Sequence, residues 1–323
     1  MKVNPRRPRT VARTLTVGGR PLDALDLAKT APDWVVEQTA RADRYRNAGD
    51  LAAARRLYEK VLDRMAKKPW RMLTALYNYG AFCHSLAEHA VAIHCFRHVL
   101  RYAPTLAEAW YNLGTALQET RACAEAVTCF ERALALRPRL YPAWINLGNA
   151  KMGLGDMAGA EAAFAEAATI EPEGWEATYH QAHHLVLTGR WLEGWAKYEA
   201  RWSIPGFTAL NAVTYAGDAP TPWRGQPLSG CSLVVCGEQG WGDDILCFRY
   251  APQLRAMGAT VTWAVRDGLV RLAEASLAPD RVLRLEHDPL PAVDYCITTM
   301  SLHHRLRVTP ETVPGADGYL RAA

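Results

Sequence analysis

Hydrophobic and small residues recur with a period of 34 positions between residues 35 and 203, and polar residues occupy the positions between them. Six series of residues keep this spacing. The series are Asn78, Asn112 and Asn146; Gly80, Gly114 and Gly148; Ala75, Ala109, Ala143 and Ala177; Ala92, Ala126 and Ala160; Phe96, Phe130 and Phe164; and Pro104, Pro138 and Pro172. Such a period is typical of repeat proteins, in which each unit buries its apolar face only by stacking on its neighbours.

Within each unit the pattern predicts two helices joined by a turn. Small residues such as Gly114 and Ala126 allow the two helices to approach closely, and Phe130 fills the space between units. Prolines such as Pro138 end the second helix. The spacing and these residues resemble the tetratricopeptide repeat. That resemblance implies an α-solenoid over residues 35–203, with three regular units and a degenerate unit at each end.

The pattern changes after residue 203. Residues 204–230 are rich in proline and glycine, which predicts a linker. Residues 231–323 alternate β-rich with amphipathic segments, which predicts a mostly parallel sheet covered on both faces. The predicted strands are Ser232–Cys236, Thr260–Val265, Arg281–Leu285 and Tyr295–Thr298. The predicted fold is therefore α + α/β, a tetratricopeptide α-solenoid followed by a Rossmann-like half-domain that binds ligands beyond the carboxyl ends of its strands.

Composition and charge add few constraints. The 323-residue chain has a net charge of +4, too mild to indicate specific nucleic-acid binding. It has no apolar run of the about 20 residues that span a bilayer. Residues 1–34 form a predicted basic arm, either a solvated tail or a contact for an anionic partner. The absence of a secretory signal and of any C-x-x-C pair among eight cysteines predicts a cytoplasmic protein with reduced thiols.

Three asparagines occupy one position on the first helix of successive repeats, Asn78, Asn112 and Asn146, and His180 takes that position in the fifth. A carboxamide offers a donor and an acceptor, so a row of them is able to bind an extended peptide backbone of any sequence. The row is similar to the asparagine ladder of protein O-linked N-acetylglucosamine transferase, which implies a protein or peptide partner in the concave groove. Two alternatives stay open: the asparagines bond within the array, or they meet only solvent.

Histidines one turn apart suggest a third hypothesis, a metal-handling protein. They are His94 and His98, and His180, His183 and His184. No carboxylate or cysteine stands at matching spacing, so we predict no metal site and expect ordinary packing and surface roles.

A glycine-rich loop follows the first strand of the second region. It comprises Gly237, Glu238, Gln239, Gly240 and Gly242 with Trp241 between the last two. It matches neither the dinucleotide fingerprint nor the P-loop. Its glycines allow a ligand to approach the backbone closely. The pattern after the loop predicts a helix over residues 243–257. On local pattern alone, Asp243 is the N-cap of this helix.

The residues around this loop resemble bacterial tetratricopeptide-repeat proteins that carry a glycosyltransferase-like domain. The matching positions are Trp223, Gly225, Pro227, Leu228, Gly230, Leu233, Val234, Val235, Glu238 to Asp243, Phe248 to Tyr250, Glu311 to Pro314, Tyr319 and Leu320. The part from the strand to Asp243 is similar to the start of lipopolysaccharide heptosyltransferases. That similarity implies that the loop binds an acceptor and that Asp243 is the general base acting on its hydroxyl. Asp244 is an alternative base, an acid where the family has an uncharged residue.

The same resemblance implies a second half-domain for a nucleotide-sugar, and residues 231–323 leave no room for it. We therefore expect no cofactor in this chain, and a nucleotide-sugar only together with a second half-domain. One hypothesis is a protein-binding scaffold whose incomplete glycosyltransferase-like domain is inactive alone and acts in a complex. The other is a glycosyltransferase component that presents a polypeptide acceptor and receives its donor half from a partner protein on the α/β domain. The sequence leaves enzymatic activity undecided.

Overall fold

A computed structural model of the chain describes residues 32–65, 73–205, 207, 220–238, 240–315 and 318–321. Nearly all of the predicted basic arm, much of the predicted linker, and Gln239 lie outside the described residues. The chain divides into two compact units, residues 1–172 and 173–323. The sequence had placed a boundary at residue 203, so the fifth helix pair groups with the sheet in this division.

The described part of the first unit contains four helix–turn–helix pairs. They are α1 (Asp33–Asn47) with α2 (Leu51–Met65), α3 (Leu73–Ser85) with α4 (His89–Tyr102), α5 (Ala107–Glu119) with α6 (Cys123–Leu136), and α7 (Tyr141–Gly153) with α8 (Met157–Ile170). This is the predicted tetratricopeptide-like solenoid. The two helices of a pair are joined by a tight turn that needs a left-handed residue, Gly49, Ala87, Arg121 or Gly155.

The core of the first unit is built on the repeated glycines and phenylalanines. Gly114 and Phe130 show the arrangement: a Cβ added at Gly114 would lie 2.6 Å from Cε1 of the Phe130 ring. Phe130 is fully buried. The ring therefore lies against the glycine of its own repeat, and only a residue without a side chain leaves room for it.

The second unit combines a helix pair with a parallel sheet. Its elements are α9 (Trp175–Leu187), α10 (Trp191–Tyr198), β1 (Thr221–Pro222), β2 (Ser232–Cys236), α11 (Trp241–Cys247), α12 (Ala251–Ala256), β3 (Thr260–Val265), α13 (Val270–Leu277), β4 (Arg281–Arg284), β5 (Tyr295–Thr298) and α14 (Ser301–Arg305). The strand order is β1-β5-β2-β3-β4, and every pairing is parallel. Among the described helices of the chain, none is both long and apolar enough to cross a bilayer.

Two details of this unit differ from the sequence expectations. The predicted linker contributes β1, a two-residue edge strand beside β5. The helix predicted over residues 243–257 is divided into α11 and α12 by a 3-10 turn at Phe248–Tyr250. Pro252 stands in the first turn of α12, where its missing N–H costs no helical hydrogen bond.

The central strand β2 is buried on both faces. Leu233 and Val235 belong to one apolar cluster with Trp263, and the same cluster contains Tyr198 from the helix pair α9–α10. Val234 and Cys236 pack into a smaller cluster on the opposite face. The helix pair thus covers one side of the sheet, and the glycine-rich loop leaves β2 at its carboxyl end.

Candidate functional site

The three asparagines of the repeats make equivalent hydrogen bonds. Each donates its side-chain N–H to a residue 35 positions earlier, which belongs to the preceding helix pair. Nδ2 lies 3.1 Å from Asp43 Oδ2 for Asn78, 2.8 Å from the Tyr77 hydroxyl for Asn112, and 3.2 Å from the Tyr111 hydroxyl for Asn146. The structure thus realises one alternative left open by the sequence, a bond within the array.

This bond leaves part of each carboxamide available. A carboxamide carries two N–H donors and a carbonyl oxygen, and the contact to the preceding repeat uses one donor. Asn78, Asn112 and Asn146 are half-buried, so a side chain held in one orientation still reaches the surface. The row is therefore ordered before any ligand binds, which lowers the entropy cost of binding.

The acceptors of this row also follow the repeat. Asp43, Tyr77 and Tyr111 stand 34 residues apart, and the next position holds Ile145, which has no polar group. The equivalent of asparagine in the next repeat is His180, in the second unit. Burial, and then the neighbouring His183, lower the pKa of His180 to about 4. His180 is therefore a neutral imidazole near pH 7, and its side chain differs chemically from the three carboxamides.

The loop after β2 begins with a buried carboxylate. The side chain of Glu238 is fully buried, and Arg201 from the 3-10 turn after α10 donates to both its oxygens, with Nε–Oε1 and Nη2–Oε2 distances of 3.0 Å. Arg201 also donates to Glu199 and to the Ser301 hydroxyl, each at 2.7 Å. The sequence analysis placed Glu238 among the residues that bind an acceptor. In this structure both oxygens of the Glu238 carboxylate accept hydrogen bonds from Arg201.

The electrostatics of this pair follow from its burial. Desolvation lowers the pKa of Arg201, but the carboxylates of Glu238 and Glu199 outweigh desolvation and leave that pKa raised. The guanidinium therefore remains charged. Its contacts join the helix pair to the ends of β2 and β5, since Thr298 also lies within 3.3 Å of Arg201 Nη2.

Asp244 is a second fully buried acid of the loop. Its carboxylate accepts hydrogen bonds from the Thr299 hydroxyl at 3.0 Å and the Glu238 backbone N–H at 3.3 Å. Arg266 at the end of β3 donates to it at 2.8 Å. Burial raises the pKa of Asp244 above its ordinary value, against the opposing effect of Arg266. The residue fastens the carboxyl ends of three strands, β2, β3 and β5.

Asp243 differs from Asp244 because it is partly exposed. Its Oδ2 accepts the Gly240 backbone N–H at 3.2 Å. The N-cap of α11 is Gly240 and not Asp243 as the sequence pattern predicted, because the helix begins at Trp241 and places Asp243 in its first turn. No heavy atom lies near the Cβ position of Gly242, and the space beside Gly237 is filled by the Asp244 carboxylate. Of the two acids, Asp243 is the one that a molecule at this edge of the sheet is able to reach.

Sequence reasoning missed the two arginines that pair with the buried acids of the loop. Arg201 stands 37 residues before its partner Glu238, and Arg266 stands 22 residues after Asp244. These separations match neither the period of a helix nor that of a strand, so the local sequence pattern contains no signal for the two ion pairs. Within the described ranges, no cluster of three or more histidine, cysteine, aspartate or glutamate side chains is arranged to hold a metal ion.

Comparison with known families identifies two of the repeats. The family model described as tetratricopeptide repeat matches residues 107–140 and 141–173. These segments contain α5–α6 and α7–α8, so two consecutive units of the array are tetratricopeptide repeats. Protein FlbA of Caulobacter vibrioides is 34% identical over 103 residues. The match covers 31% of this chain and 15% of that protein.

Several solved structures are also similar to part of the chain. MamA is 23% identical, with a TM-score of 0.45, over 50% of this chain and 92% of that chain. PilW, described as a widely conserved type IV pilus biogenesis factor, is 24% identical, with a TM-score of 0.48, over 54% and 80%. YrrB, described as a tetratricopeptide-repeat protein with an unusual peptide-binding site, is 19% identical, with a TM-score of 0.45, over 57% and 91%.

Proposed function

We propose that this chain is a protein-interaction scaffold whose repeats bind an extended polypeptide along the row Asn78, Asn112 and Asn146. The observation that carries the proposal is the shared orientation of the three carboxamides, each held by the preceding repeat. Equal spacing of equivalent polar groups suits a ligand whose own groups repeat, and a peptide backbone is such a ligand.

The chemistry of the row favours recognition of backbone over recognition of charge. The carboxamides are neutral, and Asp43, the one acid among their partners, lies 3.4 Å from the Arg46 guanidinium. We therefore expect the row to tolerate many peptide sequences and to require an extended conformation. A partner protein with a flexible segment fits this requirement.

The test uses a fluorescein-labelled peptide selected from a random library for binding to the purified chain. Replacing all three asparagines by alanine removes up to three hydrogen bonds to the peptide, and we expect the affinity to fall by about tenfold or more. Arg132→Ala, an exposed change on α6, serves as the control. Unchanged affinity of the triple variant, with its thermal unfolding intact, would reject the proposal.

A second candidate function is a glycosyltransferase component in which Asp243 acts as general base. The specific observation in its favour is the partial exposure of Asp243 at the carboxyl end of the central strand. A base must reach the acceptor hydroxyl, and Asp244 is fully buried. A nucleotide-sugar half-domain would have to come from a partner.

This candidate predicts sugar transfer that depends on one carboxylate. A native extract containing the chain would be supplied with a radiolabelled nucleotide-sugar, and Asp243→Asn would be compared with the unchanged protein. Loss of transfer with retained partner binding supports the enzyme. Equal transfer by both forms rejects the role of Asp243 and leaves the scaffold.

A further inference from the structure

A second surface of the first unit lies between α4, α5 and α6. It is a groove of about 420 Å³. Three leucines, Leu100, Leu113 and Leu117, line it, and the rim carries Arg97, Arg101 and Glu125. We call it the Leu113 groove. Asn112 adjoins Leu113 in sequence, so successive residues of α5 serve different surfaces because helix positions are about 100° apart.

The repeats themselves show why this groove is particular to one unit. The position of Leu113 is occupied one repeat earlier by Tyr79, whose hydroxyl donates to Glu59 at 3.2 Å. The position of Leu117 is occupied one repeat later by Lys151, whose Nζ lies 3.3 Å from Glu131. Each adjacent repeat therefore has a longer side chain with a polar partner at one of the two positions, beside Cys83 in the earlier repeat and Leu147 in the later one. The middle repeat has leucine at both positions.

Charge at the rim indicates what would occupy the groove. Arg97 is paired with Glu125 at 2.6 Å, so its charge is matched. Arg101 is exposed and takes part in none of the ion pairs formed by the described residues. An apolar floor beside an unmatched guanidinium complements an apolar group that carries a carboxylate.

We propose that the Leu113 groove binds a partner polypeptide through a large apolar side chain adjacent to a carboxylate. The side chain would contact the three leucines, and the carboxylate would accept hydrogen bonds from Arg101. This surface is independent of the asparagine row, because it neither includes Asn78, Asn112 or Asn146 nor requires an extended backbone. It would give the scaffold a second, sequence-selective contact.

The probe is a short labelled peptide ending in phenylalanine with a free carboxylate, compared with the same peptide ending in an amide. Methyl NMR of Leu100, Leu113 and Leu117 detects binding even when affinity is weak. We expect saturable shifts of these methyls with the acid and at least about tenfold weaker binding of the amide, because the ion pair is lost.

Two variants test the two halves of the groove. Leu113→Tyr copies Tyr79 of the preceding repeat, which fills the space with a side chain that the fold already uses there, and we expect loss of binding. Arg101→Gln should remove the preference for the acid, and it keeps the test valid if Leu113→Tyr unfolds. Arg132→Gln is the matched control. Absence of methyl shifts, or equal binding of acid and amide, would overturn the proposal.

Discussion

The guanidinium of Arg201 donates two hydrogen bonds of 3.0 Å to the carboxylate of Glu238, and both side chains are fully removed from solvent. A bidentate pair of this kind fixes distance and orientation together. It connects the turn after α10 to the loop after β2. The pair is one of the contacts that hold the fifth helix pair against the sheet, together with the apolar cluster that contains Tyr198.

Removal of Arg201 should destabilise the second unit strongly. Arg201→Met leaves Glu238 buried without its partner, which costs about 3–5 kcal/mol. Urea unfolding followed by tryptophan fluorescence measures the loss. The double change Arg201→Met with Glu238→Leu should recover much of the stability, because no charge then remains buried. An unfolding midpoint of Arg201→Met equal to that of the unchanged protein would contradict this account.

The two neighbouring acids of the loop should behave differently. Asp244→Ala removes a buried acceptor of three hydrogen bonds and should cost about 3 kcal/mol. Asp243→Ala removes one exposed contact to Gly240 and should cost about 0.5–1 kcal/mol. Parallel urea titrations of the two variants check the difference. Equal losses would mean that the burial of Asp244 contributes nothing.

Stability of the second unit should fall on mild acidification. Burial lowers the pKa of His303 to about 4, with a weaker opposing effect of the Met300 carbonyl. Above the unfolded value of about 6.5 the imidazole is neutral in both states. Between about 6.5 and about 4 only the unfolded chain binds the proton, so stability declines by up to about 1.4 kcal/mol per pH unit.

The variant His303→Phe isolates this contribution. The ring of His303 stacks on Trp195 with centroids 4.2 Å apart, and phenylalanine preserves an aromatic contact there. Chemical unfolding at pH 8 and pH 5 should show a smaller difference for the variant than for the unchanged protein. Identical differences would exclude His303 as a source of the pH dependence.

Glycine should stabilise the protein at two turns of the repeats. Ala87 and Arg121 have φ values of 62° and 63°, a region that costs other residues about 1–2 kcal/mol. Gly155, at the equivalent position, has φ 79°. Arg121→Gly should raise stability by about 0.5–1 kcal/mol after the entropy cost of glycine is deducted. Thermal unfolding measures the gain, and Arg132→Gly within α6 should instead lower stability.

At Gly148, by contrast, glycine is required by close packing inside the repeat, and its replacement should lower stability. A methyl group there would collide with the ring of Phe164, so Gly148→Ala should cost about 1–3 kcal/mol. Phe164→Leu in the same chain should relieve part of that cost. A double-mutant cycle by urea unfolding measures the coupling, and additive losses would show that the two residues do not meet.

The sequence predicted the repeats well because one period constrains every unit. Gly114 and Phe130 are equivalent to residues in the adjacent repeats, and the structure places them in contact as a pair. Strands β2 and β3 were predictable because each is a short apolar run between turn residues. The division of the helix after Asp243 had a local signal too, in Pro252.

Other features depended on partners distant in sequence. No residue close to Glu238 in sequence indicates that it pairs with Arg201, and none close to Asp244 indicates its pairing with Arg266. Side-chain pairing across elements is decided by how the elements pack, which a local pattern does not encode. The orientation of Asn112 toward Tyr77 belongs to the same class, although the period of 34 makes it visible once one such bond is known.

The hydrogen bond from each asparagine to the preceding repeat has a consequence for how such an array changes over generations. A repeat with both a hydroxyl and a carboxamide, such as the one containing Tyr111 and Asn112, is a complete link. The Asn112 amide donates a hydrogen bond to the preceding repeat, and the Tyr111 hydroxyl accepts one from the asparagine of the next repeat. Duplication or deletion of that link would preserve the row. The following repeat has Ile145 at the position of the hydroxyl, and isoleucine has no group that accepts a hydrogen bond from the next repeat. The row therefore ends there, and it lengthens or shortens only on the N-terminal side of Ile145.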